Sequence, residues 1–199
     1  MTEPSPPRCP WCGTDPLYCA YHDEEWGVPE RDARALWEKL ILDGFQAGLS
    51  WITILKKRDN FRAAFDGFNP ESIAHWGEPQ VLAALANPGI IRHRGKIEGT
   101  VQNARAYLAL QDKGDFATLL WDYVDGTPRQ NRPASGRDIP TESPQSQAMS
   151  KMLKKAGFTF VGPTLVYAFM QACGLVNDHL VTCHAHDRVA ALAAKPAQG

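Results

Sequence analysis

Between Asp15 and Arg58 the chain reads DPLYCAYHDEEWGVP and then, after an intervening segment, DGFQAGLSWITILKKR. Tyr18, Tyr21, Trp26 and Trp51 offer flat apolar faces, and Asp43 is a lone carboxylate among apolar neighbours. Aromatic faces attract cations through their ring quadrupoles, so such an enclosure with one anion suits a flat, positively charged guest. Counted from Leu36, positions 36, 40, 43 and 47 share a helical face, which carries Asp43 to the apolar side. The plainer alternative is a capping or ion-paired aspartate near a helix end, just before Gly44. Pattern alone favours that alternative.

A second chemistry sits at the two ends of the chain. Cys9, Cys12, Cys19 and His22 lie near the start and His179, Cys183, His184 and His186 near the end, with only His75 and His93 between. His179 and Cys183 are four positions apart, so on a helix they point the same way and can share one ion. Two ligands from the N-terminal half would close a Cys2His2 tetrahedron, a donor set that favours zinc. Such a site has no position left for water, and its role is structural, tying the termini together. Cys9-Pro-Trp-Cys12 has the spacing of half a zinc ribbon, so spacing prefers Cys9 with Cys12. Scattered reduced cysteines and surface histidines are an equally weighted alternative.

The third pattern is helix, short turn, helix between Ser143 and Gly174: SPQSQAMSKMLKKAG, FTFVGP, TLVYAFMQACG. Gly162 precedes Pro163-Thr164, where free backbone N–H groups can receive a phosphate oxygen, and Lys151, Lys154 and Lys155 add positive charge. This is the layout of a helix-hairpin-helix element, which grips a DNA backbone without reading sequence. An ordinary helical hairpin with solvated lysines is the commoner case. Arg92-His93-Arg94-Gly95-Lys96 is a second basic run, more often a solvated helix start than a binding site. Leu49, after Gly48, suits either a wedge between bases or the core, and pattern favours the core.

These residues must be positioned by helices. Asp32 caps a segment with the stripe Leu36, Trp37, Leu40 and Ile41; Ser50 precedes Trp51–Leu55, and Asn69-Pro70 opens a third segment. Lys96–Leu110 and Phe116–Val124 read as amphipathic helices, and Ser143-Pro144 opens one that ends at Gly157. No Asn-Gly or Asp-Gly turn joins alternating strands, and the fold class is all-α. We expect a single domain over residues 1–199, with an ordered core of about 8–187 and loose ends at roughly 1–7 and 188–199. The net charge of −1 announces no global field for nucleic acid or membrane, so an anionic ligand must be met by a local patch. No segment approaches the ~20 apolar residues of a membrane span. Five cysteines without a secretory signal point to reduced thiols or metal ligands in the cytoplasm.

With RCPW at 8–11, DPLYCAYHDEEWGVP at 15–29, QAGLSWITILKKR at 46–58, GIIRHRGKI at 89–97, FVGPT at 160–164 and FMQACGLVNDH at 169–179, the chain resembles the DNA-3-methyladenine glycosylase I, or Tag, family. The resemblance runs from about Arg8 to Cys183. It implies a monomeric helix-hairpin-helix glycosylase that excises 3-methyladenine from alkylated double-stranded DNA by hydrolysing the N-glycosidic bond. It leaves an abasic site without a lyase step and releases free 3-methyladenine. By the same resemblance a structural zinc takes Cys9, His22, His179 and Cys183, displacing Cys12. The base pocket falls on Tyr21, Trp51 and the catalytic carboxylate Asp43, with Tyr18 and Trp26 close by. From the hairpin, the basic run and the Gly48-Leu49 pair read above, we expect DNA contacts at Leu49, Arg94, Lys96, Lys155 and Gly162. Family members commonly have Glu at position 43 and often Gln at 45, where this chain has Asp43 and Phe45. Asp178 follows the hairpin, where related glycosylases place a catalytic aspartate, but it precedes His179, and a helix N-cap is the favoured reading.

Overall fold

The structure, a computed structural model, describes residues 6–193. Helix α1 (Pro16–Glu24) begins where the Asp15 carboxylate accepts from the N–H groups of Leu17 and Tyr18. Asp32 does the same for Arg34 and Ala35 at the start of α2 (Ala33–Gln46). These side chains satisfy backbone donors that a first helical turn leaves free. Five helices follow: α3 (Trp51–Leu55), α4 (Arg58–Ala64), α5 (Pro70–Ile73), α6 (Glu78–Ala86) and α7 (Arg94–Gln111). Beyond them come α8 (Phe116–Trp121), α9 (Pro144–Lys155), α10 (Pro163–Ala172) and α11 (His184–Ala193).

Helix α2 is the centre of the assembly. Its buried Leu36, Trp37, Ile41 and Phe45 enter a contiguous core shared with α4, α7 and α10. Phe45 lies 4.7 Å from Phe61 and 5.6 Å from Phe65, ring to ring, so its departure from the family pattern is absorbed by the core. Helices α9 and α10 pack as a hairpin. Its turn is fixed by α7, where Asn103 accepts from the Thr159 N–H (2.7 Å) and donates to the Thr159 carbonyl (3.1 Å).

The all-α expectation holds apart from one two-residue parallel ladder, β1 (Arg129–Gln130) with β2 (Val176–Asn177). It pins the Pro-rich connection to the segment leading into the C-terminal Cys/His group. His179 and Cys183 do not share a helix, contrary to the spacing argument. They flank a turn closed by Cys183 N–H to the Leu180 carbonyl (2.8 Å), with Asn177 accepting from the His179 N–H. Nor is the chain loose over 188–193: α11 continues to Ala193 with Val189 buried. Residues 1–5 and 194–199 of the expected loose ends lie outside the described residues. Among those described, no helix is long and apolar enough to cross a membrane.

Gly174, at φ +71°, ends α10 against the backbone of Gly27–Pro29, where an added Cβ would stand 2.5 Å from Pro29 N. No side-chain motion relieves a clash with backbone. Gly174→Ala is expected to destabilise the fold by roughly 3 kcal/mol or more, as read from the urea midpoint. A change below about 1 kcal/mol would contradict this packing.

Candidate active site

Several elements build one cavity of about 490 Å³. The segment before α1 brings Trp11, α1 brings Tyr18 and Tyr21, and α3 opens with Trp51. Trp11 lies 5.0 Å from both Tyr18 and Trp26, and Tyr21 lies 5.4 Å from Trp51. The cavity thus gathers all four predicted aromatic residues and adds Trp11. Sequence reasoning had noticed Trp11 only inside Cys-Pro-Trp-Cys.

Helix α2 contributes Lys39, Asp43 and Gln46, a stripe at i, i+4 and i+7. Asp43 is 2% exposed. Its Oδ1 accepts from Lys39, while its Oδ2 is buried without a partner; the same is true of Trp51 Nε1. Buried polar atoms in native proteins are overwhelmingly paired, so two orphans on residues lining one cavity mark a place prepared for a polar guest. Asp43 is thus ion-paired on one oxygen and lines the cavity with the other unpartnered.

The far wall is different. Asp178 caps no helix, contrary to the favoured reading: it is buried and accepts from Asn131 Nδ2 (2.7 Å), Tyr167 Oη (2.8 Å) and Gln171 Nε2 (2.8 Å). Tyr167 and Gln171 line the cavity, so Asp178 positions them. Both its oxygens are taken.

Beside the cavity, Cys9, His22, His179 and Cys183 converge, all buried, with donor atoms within 4.8 Å of one another. Cys12 stands outside this group, its Sγ on the Cys9 carbonyl, which overturns the choice made from spacing. Sulfur–nitrogen separations are 3.5 Å for Cys183–His22 and 3.6 Å for Cys9–His179 and Cys183–His179. Tetrahedral zinc with ordinary bond lengths requires edges of about 3.5 Å, so the donors fit that ion. Asp23 Oδ1 holds the other nitrogen of His22 (2.8 Å), and the Trp26 carbonyl that of His179 (2.9 Å). The hydrogen bond from Cys9 outweighs burial and, with His179 and His22, holds the Cys183 thiol far below its ordinary value. The same hydrogen bond pushes the Cys9 thiol up, so without a metal the pair holds one thiolate and one thiol.

The predicted DNA-contacting residues divide. Leu49 is 43% exposed, so it is not core. Lys155 is exposed on α9 and Gly162 starts α10 without a side-chain cap. Arg94 is exposed but forked onto Glu78 and Glu98. Lys96 is no surface cation: it is buried, donating to the carbonyls of Phe45 (2.8 Å) and Ala47 (2.6 Å) at the end of α2.

A model of the family described as methyladenine glycosylase matches residues 11–186. The chain belongs to this family. It is 52% identical over 177 residues to DNA-3-methyladenine glycosylase 1 of Escherichia coli, a match covering 88% of this chain and 95% of that one. A crystal structure of 3-methyladenine DNA glycosylase I superposes with a TM-score of 0.89 at 56% identity, covering 90% of this chain and all of that one (100%). A Staphylococcus aureus 3-methyladenine DNA glycosylase I, whose structure addresses the basis of 3-methyladenine recognition, superposes with a TM-score of 0.87 at 38% identity, covering 90% and 96%.

Within this family's cavity the state of Asp43 matters most. Burial pushes its carboxyl above the usual range, against the attraction and hydrogen bond of Lys39. The native state therefore binds a proton at higher pH than the unfolded chain does. The cost of the buried charge is full above the folded value and disappears below the unfolded one. Lys39, with a side chain 17% exposed, keeps access to water when its partner is lost. Asp43→Asn is expected to raise Tm at about pH 8, with the gain over wild type shrinking as pH falls through the raised Asp43 value. A loss at that pH, or a gain constant with pH, would contradict the burial argument.

Proposed function

We propose that the protein removes 3-methyladenine from alkylated double-stranded DNA by hydrolysing the N-glycosidic bond, leaving an abasic site. The observation that carries this reading is the pair of unpartnered buried atoms, Asp43 Oδ2 and Trp51 Nε1, within an aromatic enclosure. A purine methylated at N3 is cationic, and that charge weakens its bond to the sugar. Extrusion from the stack costs a few kcal/mol, least for a damaged base. Cation–π contact with Trp51 and Tyr21 returns about 0.5–2 kcal/mol and favours the charged base over normal adenine. Asp43 Oδ2 accepts from the adenine amino group while its charge balances the cation. Water attacks the sugar carbon as the bonding electrons return to the ring. The reading is of simple hydrolysis and includes no lyase step.

In the same reading, α9 and α10 act as a helix-hairpin-helix element with Gly162 and Lys155 against the phosphates, and Leu49 fills the gap left by the flipped base. Cys9, His22, His179 and Cys183 hold one zinc ion, which cross-links the termini and takes no part in the chemistry. The enzyme works as a monomer in the cytoplasm.

Purified protein is expected to release free 3-methyladenine from methylated duplex DNA, measured by chromatography of the released bases. Trp51→Ala and Asp43→Asn should each slow release by about tenfold or more. Unchanged turnover in both variants would remove this cavity from the reaction. Elemental analysis should find one zinc per chain, and Cys183→Ser should lose the metal and melt well below wild type. Protein purified without chelator that holds no zinc would refute the metal assignment.

A further inference from the structure

Lys39 enters the cavity one helical turn before Asp43. Its ammonium pairs with Asp43 Oδ1 and stands 3.9 Å from the centroid of the Trp51 ring. Those are the two groups that the proposed function assigns to the cationic base. The side chain therefore already balances the carboxylate charge, through the oxygen opposite the one left for the guest, and makes the cation–π contact that the guest would make.

A second setting for the same side chain lies next door. Lys39 also borders a smaller cavity of about 290 Å³, whose wall carries Glu24, Glu25, Glu30 and Glu38. Glu25 pairs with Arg58 and Glu38 with Arg62, whereas Glu24 and Glu30 form no ion pair among the described residues. A lysine side chain is flexible and carries a compact charge, so exchange between the two settings requires rotation about its own bonds and no movement of α2.

We infer that Lys39 is a tethered competitor for the base site, holding Asp43 and the Trp51 face in the empty cavity, yielding them to the damaged base, and returning to expel the product. The inference rests on the cavity being the base pocket. A cationic base replaces one counter-charge of Asp43 with another, so the buried carboxylate is never left alone. Hydrolysis then changes the guest. The electron pair of the cleaved C–N bond goes to the ring, which leaves neutral, while water gives its hydroxyl to the sugar carbon and one proton to solvent. The neutral product no longer balances Asp43, and the ammonium of Lys39 takes the place back.

The test uses two probes: free 3-methyladenine and the permanently charged 3,9-dimethyladeninium, whose methyl group stands for the sugar. Lys39→Met keeps the length of the side chain and removes the competitor. Calorimetric titration is expected to show both probes binding about tenfold more tightly to Lys39→Met than to wild type, with Lys39→Arg close to wild type. In the Asp43→Asn background the same substitution should change affinity by less than about twofold, because the competition runs through Asp43. On methylated DNA, Lys39→Met should slow in multiple turnover relative to its own single-turnover rate, because the product is released more slowly. Weaker or equal binding by Lys39→Met, with Trp51→Ala still defective, would overturn the competitor role alone. Probes that bind Trp51→Ala as tightly as wild type would overturn the base pocket and this inference together.

Discussion

A carboxylate kept out of water beneath aromatic rings is the constraint on which this molecule turns. Isolating an ion from solvent costs several kcal/mol unless partners replace the lost hydration. Asp43 has one such partner on one oxygen and none on the other. The same exclusion of water gives the charge its use, since attraction to a cation strengthens as the local dielectric falls. Helix α2 makes the compromise tenable by dividing its faces. Trp37, Ile41 and Phe45 lock it into the core, while Lys39, Asp43 and Gln46 face the cavity. The carboxylate stays in place because the opposite side of its helix cannot move.

The Cys/His cluster belongs to the same arrangement through Trp26. The Trp26 ring lines the cavity and stands 4.6 Å from His179, whose Nε2 contacts the Trp26 carbonyl. A wall of the aromatic enclosure is thus held by groups that converge from opposite ends of the chain. The adjoining Gly27 and Glu30 donate to the end of α10 at Ala172 and Cys173. The convergence of these side chains from the two ends of the chain also helps to keep Trp26 still.

Local signals were legible in the sequence and distant ones were not. Asp32, Asn69 and Ser143 cap helix starts as read, because capping depends on residues two or three positions away, and Ser50 stands at one without a side-chain cap. Lys96 was misread because its partners, the terminal carbonyls of α2, lie about fifty residues earlier; a cation satisfies acceptors that the helix end leaves open. Asp178 was misread for the same reason, since Asn131, Tyr167 and Gln171 meet it only after the hairpin and the β1–β2 ladder have formed. The face containing 36, 40, 43 and 47 buried Asp43 correctly but hid Lys39. The stripe that matters, 39, 43 and 46, mixes a cation, an anion and an amide, and no hydrophobic periodicity reveals it.

The departure at position 43 is best understood together with position 39. The family pattern commonly has Glu there, and Asp draws the charge back towards the helix by about one carbon–carbon bond, ~1.5 Å. A retracted carboxylate sits deeper beneath the rings and closer to its own backbone. That placement increases the cost of leaving it unpaired, and a lysine one turn upstream supplies a partner. Lys39 does so while its ammonium remains over Trp51. The two residues form one unit: the shorter acid requires a resident cation, and the resident cation has to be mobile for a guest to enter. Phe45, the other departure, is buried among Phe61 and Phe65 and alters neither residue.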